Sequence, residues 1–120
     1  MVKKRQLGIP TVMDRVIQQA IVRRLSLVYE RDFNDNSYGF RFGRSCEQAI
    51  IKILQLFNDG YDWIVNIDLE GFFDTVNHDI LTNIISRTIK DENLISLIRA
   101  FLDSGVMVNG KYEDTPIGTP

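Results

Sequence analysis

The chain has 120 residues, 44% of them apolar and 25% charged, with a formal net charge of −2, the proportions of one ordinary globular domain able to bury a core. No apolar run is long enough to span a bilayer and the N-terminus carries no signal-peptide pattern, so a cytoplasmic protein without membrane partners is expected. A single cysteine, Cys46, and a single histidine, His78, exclude an intramolecular disulfide and a zinc centre, which leaves oxygen ligands for any metal.

The charge is unevenly spread. Residues 1–60 carry ten Lys or Arg against six Asp or Glu, and residues 61–120 carry four against ten. The first half is suited to phosphates and the second to cations, although a solvated surface would read the same way.

The opening MVKKRQLGIPTV, broken by Gly8 and Pro10, reads as a loop or edge strand. From there the spacing of Val16, Ile17, Ala20, Ile21, Leu25 and Val28 predicts a helix over 12–31, with Arg15, Gln18, Gln19 and Arg23 on its other face. DFNDNSYGFRFGRS is turn chemistry. Ser45 and Gln48 have capping-box spacing and open a second helix over 45–59, with Ala49, Ile50, Ile53, Leu54 and Phe57 inward and Gly60 as its stop. Residues 62–69 alternate as a strand would, with Asp68 at the C-terminal end. Asn77 or His78 starts a third helix with Ile80, Leu81, Ile84 and Ile85 inward. Asp91 or Glu92 starts a fourth, with Leu94, Leu97, Ile98, Phe101 and Leu102 inward and Gly105 at its end. VMVNGKYED predicts a β-hairpin turning at Asn109-Gly110. One long strand makes no stable sheet, so further chain or a second copy is expected to complete it.

Asp68 at a strand end, beside the Leu69 carbonyl, offers the hard oxygen ligation that suits Mg²⁺ and phosphoryl transfer. Two-metal nucleotidyl transfer needs further carboxylates, and the acids that follow contain no adjacent Asp-Asp pair. The alternative is an ordinary turn-forming aspartate. Phe72 and Phe73 read as core or as ligand contacts, Asp74, Asn77 and Asp79 as turn and cap residues, and His78 as structural. Arg41 and Arg44, beside Gly39 and Gly43, read equally as a solvated loop or as phosphate contacts.

Three segments in order, RQLGIPTVMDRVIQQA, NSYGFRFGRS and VNIDLEGFFDTVNHDIL, resemble the N-terminal blocks of group II intron reverse transcriptases, also called intron maturases. GKYEDTPIGTP resembles the lead-in to that family's next block, and the resemblance spans essentially the whole chain. The implied fold is α+β, a partial right-hand polymerase with helical fingers over residues 1–60 and the start of a ferredoxin-like palm over residues 61–120. The implied activity is RNA-directed DNA polymerisation with Mg²⁺ as cofactor, and the implied partners are an RNA template or intron RNA, a DNA primer and deoxynucleoside triphosphates. By the same resemblance Asp68 is the first catalytic aspartate and a metal ligand together with the Leu69 carbonyl. Phe73, with Phe72 beside it, packs under the incoming sugar. Arg5 and Arg41 meet the nucleotide, and Ile9, Tyr38, Arg41 and Arg44 face the template or RNA.

The chain departs from the family pattern at Phe42, where Pro is usual, and at Asn66, where an acid is frequent. It contains neither the Gln-Gly segment nor Tyr-x-Asp-Asp. It therefore reads as a fragment, inactive alone, whose unpaired palm edge favours a homodimer. Two other functions are weighed: a non-catalytic RNA-binding splicing cofactor, favoured by the basic first half, and a nucleotidyl cyclase-like palm, which lacks its Gly-Gly-acid-acid-Phe hairpin here.

Overall fold

In the computed structural model, which describes residues 8–119, the chain resolves into two compact units that meet in sequence between Ile67 and Asp68. The first unit holds helices α1 (Val12–Tyr29), continued by a short 3₁₀ turn (Glu30–Asp32), and α2 (Cys46–Asn58). The second holds α3 (His78–Thr88), α4 (Glu92–Leu102) and a hairpin of β1 (Val106–Val108) and β2 (Lys111–Glu113).

Each of the four α-helices among the described residues begins where a side chain can accept from a backbone amide that the helix leaves unpaired. Thr11 Oγ1 accepts from Asp14 N at 3.2 Å, Asn77 Oδ1 from Ile80 N at 2.9 Å and Asp91 Oδ1 from Leu94 N at 3.1 Å. At α2 the capping box closes in both directions: Ser45 Oγ accepts from Gln48 N at 3.3 Å and Ser45 N donates to Gln48 Oε1 at 3.1 Å. Gly60, at φ +97°, ends α2 in the left-handed region that glycine adopts without a steric penalty.

The hairpin pairs β1 with β2 antiparallel, Met107 opposite Tyr112. Asn109 (φ +52°) and Gly110 (φ +77°) both take the positive φ that a type I′ turn demands, as the Asn-Gly pair predicts.

In the second unit α3 packs against α4, and Ile85, Ile89 and Leu102 are the apolar residues buried there, each contributing about 1.5–3 kcal/mol. Leu81, Leu94, Ile98 and Phe101 are half-buried around them as their spacing predicts, whereas Ile80, Ile84 and Leu97 stay exposed.

Two expectations change. The first concerns the inward faces of α1 and α2. Ile17, Ile21, Leu25 and Val28 form a half-buried stripe on α1 while Val16 and Ala20 are exposed, and Ile50, Ile53, Leu54 and Phe57 of α2 are exposed because no described element covers them. The second concerns residues 62–69, which form no strand. Alternation selects the faces of a strand, but a ladder needs a neighbour, and the only ladder among the described residues is the hairpin. Trp63, Ile64, Val65, Ile67 and Leu69 are consequently all exposed.

Candidate functional site

Asp68 opens the second unit as an exposed carboxylate. Its Oδ1 accepts from the Leu69 amide at 2.9 Å, and its Oδ2 takes no hydrogen bond among the described residues. The Leu69 carbonyl accepts no backbone hydrogen bond among them either. A carboxylate oxygen and a neighbouring carbonyl are hard donors of the kind Mg²⁺ prefers, and they fill part of its shell. Among the described residues no group of three His, Cys, Asp or Glu converges as a metal site.

Directly after them the chain turns tightly. Gly71 (φ +61°) starts the turn, Asp74 N donates to the Gly71 carbonyl at 3.1 Å, and the Thr75 hydroxyl lies 3.0 Å from the same carbonyl oxygen. The turn lifts two rings outward. Phe72 and Phe73 stand edge to face, centroids 5.4 Å apart, and remain 52% and 64% exposed. These are rings available to a ligand rather than core residues.

Residues 118–119 are laid onto this turn. Gly118 N donates to the Val76 carbonyl and Thr119 N to the Phe73 carbonyl, both at 2.8 Å. His78, the first residue of α3 and only 3% exposed, completes the attachment: its Nε2 lies 2.6 Å from the Gly118 carbonyl and its Nδ1 lies 3.1 Å from Asp103 Oδ1. Arg99 Nε donates to Asp103 Oδ2 at 2.8 Å, and its Nη1 also pairs with Asp79. The Arg99 guanidinium, and after it His78, hold the Asp103 carboxyl below its ordinary value.

Tyr38, Arg41 and Arg44 belong to the first unit, in the loop between α1 and α2. Arg41 is turned inward, its side chain 5% exposed. Its Nη2 lies 2.6 Å from Glu30 Oε1, and its Nη1 donates to the carbonyls of Asn34 (2.7 Å) and Ser37 (2.8 Å). Its guanidinium also sits 5.3 Å from the centroid of the Phe33 ring. The hydrogen bond from Arg41 is the main reason the Glu30 carboxyl lies below its usual value.

These contacts give Arg41 a loop-building role, with Nε, Nη1 and Nη2 each engaged by Glu30 or by the loop's own carbonyls. This pairing reaches eleven residues back to Glu30, a distance that no local pattern signals. On either side of it Phe40, in left-handed backbone at φ +56°, and Phe42 point into solvent. Arg44 is less committed: it reaches Asp35 Oδ1 at 3.4 Å and lies 5.7 Å from the Tyr38 ring centroid. Ile9 is exposed, and Arg5 lies outside the described residues.

Residues 1–119 match the family model for reverse transcriptase (RNA-dependent DNA polymerase). The chain belongs to the reverse transcriptase family. Among curated relatives it is 42% identical to the group II intron-encoded protein LtrA of Lactococcus lactis subsp. cremoris, over 98% of this chain and 20% of LtrA. It is 38% identical to an uncharacterized 91 kDa protein in the cob intron of Schizosaccharomyces pombe, over 98% of this chain and 14% of that protein. Nuclear intron maturase 1, mitochondrial, of Arabidopsis thaliana is 29% identical over 78% of this chain and 13% of its own length. The chain thus spans about a fifth or less of these three relatives. An α+β reverse transcriptase segment accounts for the four α-helices and the two-stranded sheet among the described residues.

Proposed function

We propose that this chain supplies the fingers and the start of the palm of a group II intron-type RNA-directed DNA polymerase, with Asp68 as a catalytic, metal-holding carboxylate. The observation that carries the reading is the exposed Asp68, whose Oδ2 takes no hydrogen bond among the described residues, immediately before a turn that presents Phe72 and Phe73 to solvent. Asp68 and the Leu69 carbonyl would hold Mg²⁺. When bound, the ion would supply charge stabilisation to the transferring phosphoryl group and acidify the attacking hydroxyl. The protein's part is to fix geometry. The Phe73 ring would pack under the incoming sugar and select deoxyribose sterically, while Tyr38 with Arg44 and the exposed Ile9 would face template or RNA. Arg5 would meet the triphosphate.

The test is primer extension on an RNA template by the intact polypeptide that carries this chain. Extension dependent on Mg²⁺ and lost in Asp68→Asn, with helix content unchanged, is the expected result. Extension retained by Asp68→Asn overturns the assignment.

A second role, in RNA binding during intron splicing, is favoured by the maturase names of relatives such as nuclear intron maturase 1. It predicts RNA affinity that falls with salt and persists in Asp68→Asn.

A further inference from the structure

His78 is the most buried polar side chain among the described residues, and it does not contact the Asp68 carboxylate. Both of its ring nitrogens are used. One faces the Asp103 carboxylate at the end of α4 and the other the Gly118 carbonyl. A single ring therefore ties the start of α3, the end of α4 and residues 118–119 to one point.

The tie continues to the aromatic turn. With the Gly118 carbonyl held by His78, the Gly118 amide meets the Val76 carbonyl and the Thr119 amide meets the Phe73 carbonyl. The fit leaves no slack: a Cβ on Gly118 would stand 2.8 Å from the Asp74 carbonyl oxygen. The backbone of Phe73 is thus fixed from behind while its ring stays exposed in front.

We infer that His78 is a positioning residue for nucleotide binding: through Gly118 and Thr119 it fixes the turn that presents the Phe73 ring to the sugar of an incoming deoxynucleoside triphosphate. This rests on the reading of Asp68 and Phe73 given above. The ring touches no substrate; it acts by holding the backbone on which Phe73 is mounted, so its loss changes how the nucleotide seats rather than how RNA binds.

Two substitutions separate positioning from bulk stability. Asn retains a polar group near the Nδ1 position, facing Asp103, and gives up the contact with Gly118. Gln places an amide nitrogen near the Nε2 position and can keep that contact. Both remove the ring and its packing. In steady-state extension by the intact polypeptide, His78→Asn is expected to raise KM for deoxynucleotides about tenfold, the effect of one lost hydrogen bond, and to admit ribonucleotides more readily. His78→Gln is expected to stay within about threefold of the parent, and RNA affinity to be unchanged in both.

Asp103→Ala, at a half-exposed position, removes the contact that orients the ring without opening the core. It is expected to raise KM by a few-fold with helix content intact. Equal KM values for the Asn and Gln variants, or an unchanged KM in Asp103→Ala, overturn the inference. If Asp68→Asn is inactive and those results are found, only the positioning role of His78 fails. If Asp68→Asn remains active, the reading of the site fails first.

Discussion

Arg41 and Glu30 form a two-point ion pair across the loop between α1 and α2, with Nη2 to Oε1 at 2.6 Å and Nε to Oε2 at 3.4 Å. The same guanidinium holds two backbone carbonyls, so the loop is folded around one side chain. Lysine keeps the charge but cannot reproduce the planar fork. Arg41→Lys should therefore loosen the loop while leaving α1 and α2 helical, accelerating amide exchange at Ser37 and Arg44 by about tenfold relative to the parent.

Gly118 occupies a site that no other residue fits. Its φ of +87° disfavours any side chain, and its neighbour is a backbone carbonyl that cannot turn aside. Gly118→Ala should lower the stability of the second unit by about 1–3 kcal/mol, measured by denaturant titration. Unchanged stability would mean that residues 118–119 do not rest on the turn.

Asp103 gives the α3–α4 pair a signature in acid. Its folded pKa is lowered, first by the hydrogen bond from Arg99 and then by that from His78. A lowered folded pKa means that the pairing stabilises fully above the unfolded value of about 3.9 and is lost as pH falls through the folded value. Stability should therefore decline below about pH 4, and Asp103→Asn should lack that part of the decline. Stability curves for both proteins from pH 2 to 7 check it.

Ser45 sets the start of α2. Ser45→Ala removes the acceptor for the Gln48 amide and should lower the stability of that helix by about 1 kcal/mol, read as an earlier loss of helical signal on heating.

What the sequence discloses follows from how local each signal is. The capping box of Ser45 and Gln48, the Asn109-Gly110 turn and the helix stop at Gly60 are written within a few residues and are legible without a structure. So is the succession of Asp68, Leu69, Phe72 and Phe73, which the proposed site takes over directly from the chain. The inward turn of Arg41 toward Glu30 is not legible, since loop arginines that fold a loop and those that bind phosphate have the same neighbours in sequence. Nor is the reach of His78 to Gly118, forty residues away. The segment 62–69 reads as a strand because alternation reports only which faces a strand would have. Its partner is a separate fact.

That segment gives Asp68 a duty separate from the proposed metal site. The segment from Trp63 to Ile67, apolar except for Asn66, is exposed, rich in branched residues and free of proline, the composition that favours stacking between chains. Asp62 stands immediately before it and Asp68 immediately after it, one negative charge at each end. Such flanking charges act as gatekeepers against aggregation. Neutralising Asp68 removes one of the two, so an Asp68→Asn protein loses a guard as well as the proposed metal ligand. Loss of activity in it is informative only when the two proteins are compared at equal concentrations of soluble, dispersed chain.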